Sequence, residues 1–318
     1  MLRLRCFRND DPPRLADIWN DALIGRGTFP LGSVGYFERC VLSKPYFDPA
    51  GLIIADDDGV PVGFVHAGFG PTDDETGIDR SRGVVSLIAV KRAHQRHGIG
   101  ARLLAAAETY LCERGTKTAH AGQRWPRCPF YFGLYGGSNM PGFLHSDTAA
   151  APFFVHHGYK PGEETVILDR RLEVPFPPAD PRFATHRRRF DIRLLPQVTI
   201  GSWWRECVFG LFEPVEFRLE EKSSKMPAAR AVLWEMESYS ARWGCPAAGL
   251  LDVQVRGELR RQGLAKFLLT QILRRLHEEY FGLVEVQAAA EDSAGVGLFA
   301  SLGFERVDTG RAFTKELS

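Results

Sequence analysis

Apolar and polar positions alternate with period two in short stretches and then switch to helical spacing. They do so in the same order twice along the chain. Leu2, Leu4 and Cys6 alternate with arginines, as in a first strand. Asp10-Asp11-Pro12-Pro13 opens a helix through Leu15, Ile18 and Trp19, with acid and proline at its N-terminus. A second helix is expected over residues 34–42, after Ser33. Residues 52–55 and 60–69 read as strands joined by Asp56-Asp57-Asp58-Gly59, a hairpin signal. A polar loop over 73–82 leads to an apolar strand over 84–90, a helix to about Arg114 and a fifth strand over 117–122. The pattern restarts at Phe190, Ile192 and Leu194. It continues with a helix around 203–212, strands over 215–220 and 231–236, and a central strand over 250–255. In the next helix Leu264, Leu268, Leu269, Ile272 and Leu276 recur at helical spacing. A strand over 284–288, a helix over 292–302 and a closing strand pair complete the second half.

The two halves align best between the central strand and the helix after it. Gly98 falls on Gly263, an offset of 165 residues. At that offset Val90 meets Val255, Gln95 meets Arg260, Arg96 meets Arg261 and Leu103 meets Leu268. The turns read Gln95-Arg96-His97-Gly98-Ile99-Gly100, followed by Ala101, and Arg260-Arg261-Gln262-Gly263-Leu264-Ala265. A turn of this kind aims several backbone N–H groups at one point, at the positive end of a helix dipole. That is an anion site, most simply for phosphate. Glycine lets a phosphate approach the main chain, and the arginines add charge-assisted donors. One such turn is a weak signal; two in register, each between a strand and an amphipathic helix, are a strong one.

These turns resemble the Q/R-x-x-G-x-G/A pyrophosphate motif of the GNAT N-acetyltransferase superfamily. A later GNAT signature, an aromatic residue followed after three residues by Gly-Phe or Gly-Tyr, is also present twice. It stands as Phe154-Val155-His156-His157-Gly158-Tyr159 and as Phe299-Ala300-Ser301-Leu302-Gly303-Phe304. The resemblance covers nearly the whole chain as two GNAT domains in tandem, an arrangement distantly similar to that of mycothiol synthase. It implies an α/β (α+β) fold, with two mixed, mainly antiparallel sheets flanked by helices. It also implies acetyl-CoA as acyl donor. The expected domains are residues 1–172, a proline-stiffened linker over 173–189, and residues 190–318. Gly158 and Gly303 differ by 145 rather than 165. The first domain therefore carries about twenty extra residues, the aromatic stretch over about 123–146. Anchoring aromatics onto the body of the protein is favoured slightly over a wall or lid above a substrate.

Composition narrows the function classes. At 318 residues the chain suits two domains with separate cores. A net charge of +1 gives no reason to expect nucleic acid or a membrane as partner. The six cysteines are scattered, without C-x-x-C or zinc spacing, so no metal is expected and the cytoplasm is the expected compartment. The N-terminus has no apolar core for a signal peptide, and no apolar run approaches membrane-spanning length.

Acetyl transfer to an amine needs a held and polarised thioester and a route for the amine proton; the leaving thiolate can also take up a proton. The resemblance implies that Val253, Val255, Arg260, Arg261, Gln262, Gly263, Leu264 and Ala265 hold the thioester and pyrophosphate in the second domain. Val90, Gln95, Arg96, His97, Gly98, Ile99, Gly100 and Ala101 match them in the first. Asp252 is the one acid on either central strand and the candidate general base, with an edge or capping carboxylate as the alternative reading. Glu285 and Asp292 are fallbacks. Many GNAT enzymes place a tyrosine, as acid to the thiolate, where this chain has Phe154 and Phe299. Phenyl rings cannot donate a proton. His97 either touches phosphate or faces solvent, and His156-His157 reads as an exposed helix end. The expected activity is N-acetyl transfer from acetyl-CoA to a primary amine of a small molecule, with turnover in the second domain. Peptide or protein N-acetylation and non-catalytic acyl-CoA binding are the rivals. Neither the acceptor nor the oligomeric state is fixed by the sequence.

Overall fold

The computed structural model describes residues 1–23, 25–176, 180–196, 198 and 201–317. In the first half of the chain the elements are β1 (Leu2–Cys6), α1 (Pro12–Ala22), α2 (Gly35–Phe37), β2 (Leu52–Asp57), β3 (Val60–Pro71), β4 (Ile78–Val90), α3 (Ile99–Glu113), β5 (Thr118–Ala121), β6 (Phe143–Leu144), α4 (Ala150–His156) and β7 (Lys160–Arg171). The second half adds α5 (Phe183–Arg189), β8 (Phe190–Leu195), α6 (Trp203–Phe209), β9 (Val215–Glu221), β10 (Pro227–Glu235), α7 (Glu237–Trp243), β11 (Ala247–Val255), α8 (Leu264–Glu278), β12 (Leu283–Ala289), α9 (Ser293–Ala300) and β13 (Glu305–Glu316).

Two compact units result, and neither is contiguous in sequence. The first is Met1–Glu164 with Gly201–Leu211 and Thr309–Ser318; the second is Thr165–Ile200 with Phe212–Asp308. In the first unit β1 to β5 pair in chain order, antiparallel except for the parallel β4–β5 pair. Asp58 at φ +50 and Gly59 at φ +87 form the tight turn that the Asp-Gly signal implied between β2 and β3. In the second unit β8, β9, β10 and β11 pair antiparallel, and β11–β12 is again parallel. This is the mixed, mainly antiparallel, helix-flanked fold expected for each half. The apolar stripe of α8, including Leu264, Leu268, Ile272 and Leu276, is buried in the core of the second unit.

Several local expectations are corrected. β4 begins at Ile78, inside the stretch read as loop, because Pro71 and Gly70 pair with Ile78 and Asp79. Alternation is lost there since this end of the strand lies beyond the buried core. The closing strand pair is one strand, β13. The stretch read as a linker ends in a helix, α5, whose Phe183 is buried and packs on Phe267 at 5.3 Å; residues 177–179 of that stretch lie outside the described residues. The helix α7 carried no sequence expectation.

The strand that pairs beside each parallel pair comes from the opposite half of the sequence. Phe313, Thr314, Lys315 and Glu316 of β13 pair antiparallel with β5 in the first unit. Thr165 to Arg171 of β7 pair antiparallel with β12 in the second. α6 also packs in the first unit. There Trp204 is fully buried, its indole Nε1 donates to the Pro126 carbonyl at 2.8 Å, and its ring lies 4.9 Å from that of Tyr46.

Candidate active site

Each parallel strand pair parts at the same place. The β4–β5 register runs from Arg82–Thr118 to Val85–Ala121, and the β11–β12 register from Ala247–Leu283 to Leu250–Val286. Beyond those pairs β4 and β11 continue to Val90 and Val255. Ser86 is the extra residue of a bulge against β3, and Leu251 is its counterpart against β10. A bulge adds local twist and bends its strand, which helps the strands separate.

Both turns have one backbone conformation. Arg96 and Gly98 have φ of +63 and +77; Arg261 and Gly263 have +64 and +83. The Gln95 amide Nε2 donates to the Val90 carbonyl at 2.9 Å, and Arg260 Nε donates to the Val255 carbonyl at 3.3 Å. The same side-chain position thus staples each turn to the end of its strand. No side chain caps the N-terminus of α3 or α8, which leaves the first-turn N–H groups available to an anion.

The surroundings of the two turns differ. Among the described residues nothing lies within 4 Å of where a Cβ on Gly98 would stand. The first turn opens into a cavity of about 950 Å³. Gln95, Arg96, Gly98, Gly100 and Ala101 line it together with Ile88, Ala89 and Val90 of β4. His97 is exposed outside this lining. Over the second turn lies the Arg182 guanidinium, 3.0 Å from the corresponding point on Gly263. It is held by Asp180, whose oxygens accept at 3.0 and 2.7 Å. His186 Nε2 lies 3.1 Å from the Gln262 carbonyl oxygen.

Asp252 is half-exposed and accepts from Arg230 at 2.9 Å, and Arg230 also reaches Glu216 at 3.5 Å. This network borders a separate groove of about 370 Å³ lined by Arg218, Arg230, Gln254 and Arg256. Asp292 caps α9, accepting from the Gly295 N–H at 2.9 Å, and Glu285 is fully buried. Phe154 stacks on Phe143 at 4.8 Å, and Phe299 packs on Phe304 at 5.5 Å, so both aromatics fill cores.

Sequence reasoning missed Asp147. At the offset of 145 it is the counterpart of Asp292, so the alignment already held the signal. Asp147 lines the cavity together with Phe143 and Phe154, and its carboxylate accepts from the Ala149 N–H at 3.3 Å. Burial raises its pKa above the usual carboxylate value, against the lowering by the N–H groups of Ala149 and Ala150. His156 and His157, at the exposed end of α4, also line the cavity.

The aromatic insertion packs onto the first unit. Tyr131 stacks on Trp19, and Phe130 stacks on His66 at 4.0 Å. His66 is fully buried with Nδ1 3.0 Å from the Tyr131 hydroxyl, and burial lowers its pKa to about 3. The folded protein therefore keeps His66 neutral where an unfolded chain, titrating near 6.5, takes up a proton. The stability this neutral histidine supports is complete above pH 6.5 and is lost as pH falls toward 3. His120, lowered to about 4 by burial and by Arg127 and Arg82, adds an effect of the same sign. In denaturant titrations His66→Asn should flatten the acid slope by about 1.4 kcal/mol per pH unit in that window.

Among the described residues no group of three His, Cys, Asp or Glu side chains could hold a metal ion, and no helix is long and apolar enough to cross a membrane.

Splayed strands, glycine turns and uncapped helices of this kind make up the GNAT fold, here built twice. Residues 12–131 match the acetyltransferase (GNAT) family model, so the chain carries an acetyltransferase domain of the GNAT family. Enzymes of this family use acetyl-CoA as acyl donor. The whole chain is similar in fold to a GCN5-related N-acetyltransferase from Sphaerobacter thermophilus, with a TM-score of 0.65, 17% identity, and 99% of this chain and 96% of that one covered. It is similar to a tandem GNAT protein from the clavulanic acid biosynthesis pathway, with a TM-score of 0.66, 16% identity, and 100% and 99% covered. A glucosamine N-acetyltransferase region of a fungal multi-domain GH3 β-N-acetylglucosaminidase gives a TM-score of 0.71 at 17% identity, covering 99% of this chain and 38% of that one. No curated protein matches the sequence.

Proposed function

We propose that the first unit is the catalytic one. It binds acetyl-CoA on the turn formed by residues 95–101 and transfers the acetyl group to the primary amine of a small molecule. The observation that carries this reading is the contrast between two turns of equal backbone shape. The first opens into a cavity large enough for much of a thioester, while the second lies beneath Arg182. The pyrophosphate meets the first-turn N–H groups of α3, with Arg96 adding a charged donor. The thioester lies along β4 beyond Val85, where the parted strand leaves backbone groups free of β5. The amine nitrogen then bonds to the carbonyl carbon as the C–S bond breaks.

All six cysteines are free, which fits the expected cytoplasmic location.

Thiol release from acetyl-CoA across a panel of small amines and peptides tests the proposal. Turnover is expected with a small amine and is expected to vanish in Gly98→Val. Asp252→Asn decides between the units. Activity within a factor of a few of the parent enzyme supports the first. A fall of about 10²–10⁴-fold, the usual cost of removing a general base, would return the chemistry to the second. No thiol release with any amine, despite bound CoA, would mark a binding protein.

A further inference from the structure

The cavity at the first turn contains one carboxylate among its described lining residues, and it belongs to Asp147. We propose that Asp147 is the proton-transferring residue of the acetyl transfer, taking the proton from the acceptor amine and returning it to the departing thiolate. This inference rests on the assignment of the first turn as the CoA site.

Geometry is the first support. Asp147 lies just before α4, lining the same cavity as β4 residues Ile88, Ala89 and Val90 and the glycine turn. Phe143 and Phe154, which border the cavity with it, have no proton to give. On β4 itself, Leu87 stands where the second half has Asp252, and Ser86 at the bulge is not ionisable near neutral pH. The cavity's other ionisable groups are Arg96 from the turn and His156 and His157 from the end of α4. Ala22 at the end of α1 and Leu23 just after it contribute none, and neither does β4.

Proton balance is the second support. A neutral amine that attacks the thioester carbon becomes a cationic tetrahedral nitrogen, and the C–S bond leaves its electron pair on sulfur. One proton must leave nitrogen and one must reach sulfur. A single carboxylate does both, ending as it began, with amide and free thiol as products. Burial suits Asp147 to this cycle, because a raised pKa narrows the gap between its charged and neutral forms.

The counterpart in the second unit has a different setting. Asp292 is exposed, and its carboxylate accepts from the Gly295 N–H at 2.9 Å. Asp147 makes the longer 3.3 Å bond to Ala149 and is set against the aromatic wall of a cavity. Aspartate at this position accepts from backbone N–H at the start of a helix in both copies, and in the first it also lines a substrate-sized cavity.

The test is Asp147→Asn with acetyl-CoA and an amine the parent protein acetylates. Asparagine keeps the oxygen that accepts from Ala149, so the melting temperature should hold. Turnover should fall by about 10²–10⁴-fold, with calorimetric CoA affinity retained. The acid limb of the kcat–pH profile should disappear, and Asp147→Glu should restore part of both rate and limb. An unchanged rate overturns the inference. So does an acid limb that persists in Asp147→Asn, which would hand the proton to one of the histidines. Gly98→Val separates this result from the CoA assignment. If that variant binds CoA normally, the underlying site assignment is wrong. If it loses CoA while Asp147→Asn keeps full kcat, only the role of Asp147 falls.

Discussion

Gly98→Val should reduce CoA affinity by at least about 100-fold, while Gly263→Val should leave it within a few-fold of the parent. The two substitutions form a matched pair. Each puts a β-branched residue at nearly the same left-handed backbone angle, φ +77 and +83, so each carries a similar strain of about 1–3 kcal/mol. Only at Gly98 does the new side chain project into an open, substrate-sized cavity. There it displaces a phosphate from N–H groups whose charged hydrogen bonds are worth about 1.5–3 kcal/mol each. Losing two of them accounts for the expected change. At Gly263 the new side chain meets the Arg182 guanidinium rather than a substrate-sized space, so no phosphate is displaced. Calorimetry of CoA binding, with melting curves to compare the strain, checks the pair. Equal loss of affinity in both variants would assign CoA to both turns, and loss at Gly263 alone would reverse the assignment.

Residues 1–172, produced alone, should fail to fold cooperatively. That stretch lacks Phe313 to Glu316, which form the edge partner of β5, and it lacks α6. Its β5 would be an unpaired edge four residues long, and Phe154 would lose its stacking partner Phe313. Trp204, fully buried in the first unit, would be absent, leaving the Pro126 carbonyl without that donor. In the full chain the Trp204→Ala change alone should cost about 3–5 kcal/mol. Set against a total stability of about 5–15 kcal/mol, losing the helix and the strand together exceeds what the fragment can spare. Near-UV circular dichroism and amide exchange would report the outcome. A fragment with native-like protection in β4 and α3 would refute the prediction.

What the sequence determined was local. Period-two and helical spacing placed the strands and helices, because burial on one face imposes those periods whatever the final neighbours. The paired glycine turns were legible since only glycine readily takes the backbone angle that Gly98 and Gly263 adopt, and a strand and an apolar helix must flank it. The position of Asp147 was legible too, through its alignment with Asp292, but its environment was not. Tertiary structure alone decided what lies over each turn. Arg182 is 81 residues from Gly263 in sequence, and no periodicity announces that a surface arginine will rest on a distant glycine. It also decided which unit receives Trp204 and the end of β13. An amphipathic helix and an alternating strand specify that one face must be covered, and they leave open which half of the chain supplies the cover.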